Sequence, residues 1–132
     1  MSNKELLDKY LLGKDTKKQE QGVLFIERSL NLLNDNGILF VIIPNGYLGN
    51  QYQKNLRKYI IDNFRLLAII EMPESTFTRS GTGVSTSMLI IQKTSVEEDY
   101  QIFIKIIDNI GYDLSKKNTP LKFKKKSNGE YI

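Results

Sequence analysis

The chain has 132 residues and a mass of 15.2 kDa, enough for one domain with a single modest hydrophobic core. It contains no His, Cys or Trp, which excludes disulfides, thiolate nucleophiles, Cys/His zinc sites and Ser-His-Asp triads. A composition of 40% hydrophobic and 26% charged residues is typical of a soluble globular domain. Because the sequence shows no signal peptide and no apolar run of bilayer-spanning length, we expect a cytoplasmic protein. Without His and Cys, we expect no metal site.

The basic charge is concentrated at the C-terminal end. The net charge is +4, but between Leu114 and Ile132 six lysines stand against Glu130 alone, so the preceding residues sum to −1. A lysine run of this kind is more often a solvated linker than a surface that reads nucleic acid. We therefore expect a domain over residues 1–113 and a basic tail or linker over residues 114–132.

The first half of the chain predicts helices that alternate with buried strands. In chain order, the apolar spacing predicts a short amphipathic helix ending at Gly13, a loop over 14–22, a helix over 22–35, a strand over 38–43, a helix over 50–64 and a strand over 66–70. The uninterrupted run Ile38–Ile43 is typical of a strand that is buried on both faces. This order predicts half of a doubly wound α/β sheet with parallel strands.

The second half of the chain follows a different pattern. A polar loop over 74–83 leads directly into a strand over 84–92. Because the connection is too short for a crossover helix, this strand is expected to pair antiparallel with a neighbour. After an acidic break, residues 100–107 predict a further strand.

Residues that follow the predicted strands are candidates for a site. Pro44, Asn45 and Gly46 stand at the carboxyl end of the first strand, where open α/β sheets bind ligands, although Pro and Gly also serve simply to end a strand. Glu71 follows the second strand. A basic helical face formed by Lys54, Arg57 and Lys58 is more typical of a solvated surface than of a DNA contact.

Several sequence words, in order and spacing, resemble a known family over residues 2–117. They include FIERSLNLLNDNGILFVIIPNGYLGN, LRKYIIDNFRLLAIIEMPESTF, GTGVSTSMLIIQK and DNIGYDLSKK. Together they resemble the adenine-specific (N6) DNA methyltransferases, above all the modification subunits of type I restriction–modification systems. The segment KELLDKYLLGKD resembles the one that directly follows the Asn-Pro-Pro-Phe/Tyr motif of that family.

The resemblance implies a fold, a reaction and partners. The fold is the C-terminal half of a class I, Rossmann-like methyltransferase sheet, with two parallel buried strands, antiparallel final strands and helices on the faces. The reaction is methyl transfer from S-adenosylmethionine to the exocyclic nitrogen of adenine in duplex DNA, by base flipping. The partners are DNA and the specificity and restriction subunits.

The resemblance also implies that two loops lie near DNA or the target base, and it singles out six residues: Pro44, Asn45, Gly46, Phe77, Arg79 and Thr82. Phe77 is expected either to stack on the extruded adenine or to anchor its own loop in the core. Arg79 and Thr82 are expected to meet phosphates or bases, or only to solvate a polar loop.

Two elements that this chemistry needs are missing from the 132 residues: the Gly-rich turn that holds the methyl donor, and the Asn-Pro-Pro-Phe/Tyr loop. We therefore expect a truncated reading frame or a piece of a longer protein. It has no catalytic or donor-binding residue of its own, binds S-adenosylmethionine only weakly and does not catalyse methyl transfer alone. The alternatives are a small α/β binding or scaffold module with no enzymatic role, and a restriction enzyme with fused cleavage and methylation domains.

The missing half has a structural corollary. In the family, the strand at 38–43 pairs with the strand that precedes the catalytic loop, so this edge of the sheet is left with free backbone groups. We expect the N-terminal helix to cover that edge, or a second copy of the chain to pair with it.

Overall fold

The structure is a computed structural model that describes residues 3–96 and 99–108. Four strands form one sheet: β1 (Ile38–Pro44), β2 (Arg65–Met72), β3 (Thr86–Gln92) and β4 (Phe103–Ile106). The helices are α1 (Lys4–Leu7), α2 (Gln21–Leu32), α3 (Gly46–Gly49) and α4 (Lys54–Asn63), with 3₁₀ segments at Gln51–Gln53 and Glu74–Ser80. The tail over residues 114–132 lies outside the described residues.

The sheet has the strand order β1-β3-β2-β4. β3 lies between β1 and β2 and runs antiparallel to both, as its short connection predicts. β1 and β2 therefore run in the same direction without being neighbours. The α/β class and the mixed sheet are confirmed.

The expectation that the final strands are all antiparallel is wrong for β4, which pairs in parallel with β2. The reason is where β3 ends. Gln92 lies opposite Arg65, the first residue of β2, so the connection after β3 delivers the chain to the start of β2. A strand that begins there and pairs with the outer side of β2 runs alongside it in the same direction.

Two helices follow their predicted positions closely and one does not. α1 ends at Leu7, so the N-terminal helix is shorter than the one expected to end at Gly13. α2 begins one residue before the expected range and ends within it, and the turn that follows it has a left-handed residue at Asn36 (φ 62°). The helix expected over 50–64 consists of a 3₁₀ turn, Gln51–Gln53, followed by α4. Asn50, just before this turn, has extended backbone angles, and its side chain accepts a hydrogen bond from the N–H of Tyr52. This cap starts a new helical segment, which continues into α4.

The hydrophobic core lies on one face of the sheet. Helices α2, α3 and α4 pack there against inward-facing side chains of the strands, and residues just after α1 join them. The buried set consists of Leu12, Val23, Ile26, Leu30, Ile43, Tyr47, Leu56, Ile60, Phe64, Leu66, Leu89 and Ile91.

The other face of β1 is uncovered, so the prediction that this strand is buried on both faces is wrong. Ile43 is buried and Leu39 and Val41 are partly buried against the helices, whereas Ile38, Phe40 and Ile42 are 46%, 63% and 47% exposed. A continuous apolar run indicates that both faces suit burial. In the described part of the chain, helices supply a cover for only one of them.

Glu27 on α2 fixes the position of the segment that follows α1. Its side chain is only 3% exposed, and its carboxylate accepts hydrogen bonds from the backbone N–H of Leu11 (2.7 Å) and of Leu12 (2.8 Å). Gln19 donates from the same region to the carbonyl of Leu12 (2.9 Å). The backbone N–H groups of Leu11 and Leu12 thus donate to one buried carboxylate instead of to the backbone carbonyls of a helix or a strand.

Replacing Glu27 with Ala is expected to lower the free energy of unfolding by about 2 kcal/mol, because two backbone N–H groups lose a charged acceptor. Urea unfolding followed by circular dichroism measures the change. Arg28→Ala, an exposed neighbour on the same helix, is the control and is expected to stay within about 0.5 kcal/mol of the parent chain. Equal losses in the two variants would contradict the anchoring role.

Candidate functional site at the strand ends

The loops after β1 and β2 meet at one edge of the sheet. Pro44, the last residue of β1, and Met72, the last residue of β2, both lie opposite Thr86 at the start of β3. The two loops, over 45–50 and 73–85, therefore leave the sheet from neighbouring points. This is the edge at which open α/β sheets bind ligands.

Asn45 joins the ends of all three strands. Its Nδ2 donates to Glu71 Oε1 (3.0 Å), and its Oδ1 accepts from Ser87 Oγ (2.7 Å). Its backbone N–H donates to the carbonyl of Ser85 (2.9 Å). Because both ends of the amide are engaged, the side chain has a single orientation and directs Glu71, which is exposed, along the edge.

A cavity of about 380 Å³ opens beside this cluster. Its lining is mixed, with polar side chains from Asn45, Glu71, Ser87 and Lys105 and apolar ones from Leu48, Ile69, Ile104 and Ile106. Such a mixture suits a flat group that has an apolar face and hydrogen-bonding edges. Nearby carboxylate, amide and hydroxyl groups orient such a ligand, but they include no nucleophile paired with a base.

The loop after β1 is held by a second polar cluster. Tyr47 donates its hydroxyl to Glu20 Oε2 (2.8 Å), and Gln53 donates to Glu20 Oε1 (2.7 Å). The Tyr47 hydroxyl lies so close to Gly22 that a Cβ there would be 2.5 Å away. Burial and the hydrogen bond to Glu20 raise the pKa of Tyr47 to about 12.

Arg57 differs from its neighbours on the predicted basic face. Its Nη1 donates to the carbonyls of Tyr47 (3.0 Å) and Asn50 (2.7 Å), which caps the C-terminal end of α3. Lys54 and Lys58 are exposed, and Lys58 pairs with Asp62 at 2.7 Å on its own helix. The solvated-surface interpretation therefore fits the two lysines, and Arg57 has a structural role.

The loop after β2 carries the other predicted site residues. Phe77 is half-buried within the 3₁₀ segment, and Thr82 is exposed and donates its N–H to the carbonyl of Phe77 (3.4 Å). Between them, Gly81 adopts a left-handed conformation (φ 82°) that favours glycine. The backbone of Arg79 belongs to the same segment, and its side chain lies outside the described residues.

The structure thus brings Pro44, Asn45 and Gly46 to the strand ends beside Glu71. Phe77 and Thr82 lie in the adjoining loop and do not belong to the hydrogen-bonded cluster. Sequence reasoning missed Ser87, although the Thr-Ser pair at 86–87 was visible as a family word. The hydroxyls of Thr86 and Ser87 lie on opposite faces of the sheet. The Ser87 hydroxyl donates to Asn45, and the Thr86 hydroxyl is buried without a hydrogen-bond partner in the described part of the chain.

Gly46 occupies the turn between β1 and α3, and a Cβ added there would meet no atom within 4 Å, so its backbone faces open space at the strand ends. Among residues 3–96 and 99–108, no group of His, Cys, Asp or Glu side chains is arranged to hold a metal ion.

The mixed sheet, the one-sided helical cover and the loop edge together define a part of a class I methyltransferase fold. Residues 1–77, more than half of the chain, match the family described as "Eco57I restriction-modification methylase". The chain belongs to this family. The resemblance to restriction–modification methylases found in the sequence words is confirmed.

One curated relative supports the same assignment. The Type II methyltransferase M.BstVI of Geobacillus stearothermophilus is 37% identical over 54 residues, which is 41% of this chain and 10% of that protein. The chain therefore corresponds to only a small part of the length of this relative.

Solved structures show the same fold. A protein of Listeria monocytogenes assigned to the class I S-adenosylmethionine-dependent methyltransferases superposes with a TM-score of 0.70 and 22% identity, over 83% of this chain and 33% of that one. The M protein of the type I restriction enzyme EcoKI superposes with a TM-score of 0.59 and 18% identity, over 76% of this chain and 22% of that one. None of the helices in the described residues is long and apolar enough to cross a membrane.

Asn45→Asp is expected to lower the free energy of unfolding at pH 7 by about 1 kcal/mol. In the parent chain the Asn45 amide donates a hydrogen bond to the Glu71 carboxylate, whereas in the variant two carboxylates face and repel each other. Two facing carboxylates raise the pKa of one of them in the folded state, so the loss shrinks as the pH falls towards 4. Urea unfolding at pH 4 and pH 7 measures this difference. Asn50→Asp, which places the same charge on a capping residue of the same loop, is the control; a loss equal to that of Asn45→Asp would contradict the contact.

Tyr47 is expected to make the fold sensitive to alkali. Its pKa is raised from 10.0 to about 12, so its contribution to stability is complete below pH 10 and is lost as the pH rises from 10 to about 12. Tyr47→Phe is expected to be less stable than the parent at pH 8 and to show a shallower decline between pH 10 and 11.5. Urea unfolding at these pH values tests this, with Tyr52→Phe, which alters an exposed tyrosine, expected to follow the parent curve.

Proposed function

We propose that this chain is the C-terminal part of the catalytic domain of a DNA adenine-N6 methyltransferase that works in a restriction–modification system. The whole protein transfers a methyl group from S-adenosylmethionine to adenine in DNA, in the cytoplasm, together with specificity and restriction subunits. The observation that carries the proposal is the family match over residues 1–77, which includes the loop after β1 and two members of the cluster at the strand ends, Asn45 and Glu71.

In this proposal, the two loops at the strand ends form one wall of the cleft for the target base. Asn45 holds Glu71 and Ser87 in place, and the mixed polar and apolar cavity beside them suits a planar base. Phe77 lies half-buried in the second loop, where an aromatic ring is available to stack on an extruded adenine. Arg79 and Thr82 follow Phe77 in the same loop and are proposed to contact phosphates or bases of the DNA.

The chain supplies positioning and base contacts, and the chemistry comes from residues that it lacks. The Gly-rich turn that binds the donor and the Asn-Pro-Pro-Phe/Tyr loop that accepts hydrogen bonds from the target amine are missing from the sequence. The absence of each motif is a reason to expect that the 132-residue chain alone neither binds S-adenosylmethionine tightly nor methylates DNA.

The first experiment compares two polypeptides. The DNA upstream of the Met1 codon is expected to encode, in frame or just out of frame, a Gly-rich turn followed by Asn-Pro-Pro-Phe/Tyr. The polypeptide that joins this segment to the chain is expressed in a host without adenine methylation, and N6-methyladenine in the host DNA is measured by mass spectrometry. We expect methylation from the joined protein and none from the chain alone; turnover by the chain alone would overturn the division of roles.

The second experiment tests Phe77 in the joined protein. Because stacking of a base on an aromatic ring contributes about 1–3 kcal/mol, Phe77→Ala is expected to reduce methylation at least fivefold, whereas Phe77→Tyr retains most of it. Phe25→Ala, which alters a 64% exposed ring on α2, is the matched control and is expected to leave methylation unchanged. A loss for Phe77→Ala that is matched by a lower melting temperature would instead indicate a loop anchor.

The competing function is a small non-enzymatic α/β binding or scaffold module. An upstream region without either motif would favour it, because nothing then completes the cleft. A nuclease motif still further upstream would favour the restriction enzyme with fused cleavage and methylation domains.

A further inference from the structure

Glu20 makes two long-range hydrogen bonds from the position where α2 begins. It is the N-cap residue of α2, yet its side chain forms no capping hydrogen bond to that helix. Instead, its two carboxylate oxygens accept hydrogen bonds from the Tyr47 hydroxyl (2.8 Å) and from Gln53 Nε2 (2.7 Å). A side-chain oxygen at this position ordinarily accepts from the first turn of its own helix. The side chain of Glu20 bonds to the segment after β1 instead.

The helical turn α3 depends on other elements for its position. It has four residues, and no side chain caps its N-terminal end. A single turn makes too few backbone hydrogen bonds to be stable by itself. Glu20 holds it from the side of α2 through Tyr47. Arg57 holds it from α4, because its Nη1 donates to the carbonyls of Tyr47 and Asn50.

The residues of α3 connect Glu20 to the cavity at the strand ends. Tyr47 is buried in the core, and its hydroxyl donates to Glu20. The next two residues of the turn, Leu48 and Gly49, line the cavity together with Glu71 of β2. A shift of α3 after the loss of Glu20 would therefore move one wall of that cavity relative to Glu71.

The surroundings of Glu20 make it a selective handle on this turn. A Cβ added at Gly22 would lie 2.5 Å from the Tyr47 hydroxyl, so the ring packs closely against the start of α2. Gln53 is only 4% exposed, and its amide meets the second oxygen of Glu20. Glu20 itself is exposed. Removal of its carboxylate therefore takes away two hydrogen bonds without opening a hole in the core.

We propose that Glu20 is a positioning residue for methyl transfer, which holds α3 where Leu48 and Gly49 form a wall of the target-base cleft. This role rests on the proposed function, which assigns the cavity at the strand ends to the target base. Glu20 acts through Tyr47 and Gln53 and touches neither the base nor the methyl donor. Because both of its partners are uncharged donors, the role needs hydrogen-bonding groups in this geometry and does not need the negative charge.

Hydrogen exchange of the 132-residue chain tests the link between Glu20 and the turn. Glu20→Ala is expected to speed amide exchange over residues 45–53 about tenfold, because this segment opens locally more often, and to leave exchange in β3 unchanged. Gln21→Ala, which alters an exposed neighbour on the same helix, is the control and is expected to match the parent. In Tyr47→Phe, which lacks one of the two bonds, Glu20→Ala is expected to have a smaller effect than in the parent. Equal exchange over 45–53 in Glu20→Ala and the parent would overturn the proposal.

Kinetics of the joined protein test the role in the reaction. Glu20→Ala is expected to reduce kcat/KM for DNA about tenfold, because a small displacement of a group that positions the substrate slows the reaction strongly. The KM for S-adenosylmethionine and the fraction of molecules that bind it are expected to match the parent, which excludes a smaller folded fraction as the cause. Gln21→Ala is again the control and is expected to leave these constants unchanged.

Glu20→Gln separates hydrogen bonding from charge. Its amide oxygen accepts from the Tyr47 hydroxyl, and its amide nitrogen donates to the amide oxygen of Gln53 once that group has turned over. We therefore expect Glu20→Gln to retain most of the activity that Glu20→Ala loses.

The outcomes distinguish this role from the proposed function. A joined parent protein that does not methylate DNA overturns the proposed function and this role with it. An active joined parent, with full kcat/KM for DNA in Glu20→Ala, overturns the positioning role alone. The same holds if folded Glu20→Gln is as impaired as Glu20→Ala, since the charge is then required. A loss in Glu20→Ala that is matched by fewer molecules able to bind S-adenosylmethionine would reduce Glu20 to a structural role and overturn the proposal.

Discussion

The insertion of β3 between β1 and β2 is the constraint on which the rest of the structure depends. Its register places Pro44 and Met72 opposite the same residue, Thr86, and so brings the two strand ends together. Its inward side chains, Leu89 and Ile91, are almost fully buried against the helices. Without β3, the two parallel-running strands have no shared neighbour, and the Asn45 cluster has no third strand from which Ser87 can donate.

The structure has two layers, a sheet and a set of helices, and the helices cover only one face of the sheet. The apolar residues of the other face remain accessible on β1 and β4. A one-sided cover of this kind is what a part of a larger class I methyltransferase fold would show, and it bears on how the chain behaves as an isolated polypeptide.

Much of the fold was predictable because periodicity and turn chemistry are local signals. The apolar stripe of α2, the β-branched runs of β1 and β2 and the antiparallel direction of β3 all follow from adjacent residues. The helical turn α3 lies in the loop expected before residue 50 and is separated from the next segment by the side-chain cap at Asn50. The exposure of Phe40 depended on which layers surround the strand. A hydrophobic run specifies neither feature. The parallel direction of β4 depended on where β3 ends.

The candidate site was predictable in part. Because open α/β sheets bind ligands at the carboxyl ends of their strands, the sequence indicated Pro44, Asn45 and Gly46 after the first strand and Glu71 after the second. Ser87 could not be placed beside Asn45 from spacing, because the two are 42 positions apart and meet only through the register of β3. Glu27 shows the same limit, since the amides it binds lie 15 and 16 positions away and leave no pattern in the sequence.

The chain order of the sheet also has a kinetic consequence. β1 and β3 are joined at pairs as distant as Ile38 and Gln92, and β2 must already lie within reach when β3 inserts. High contact order of this kind slows folding, and an intermediate that lacks β3 presents two unpaired strands on either side of a gap. β1 and β2 therefore have no strand in common until β3 inserts between them, so neither can be built into this sheet from the first 72 residues alone.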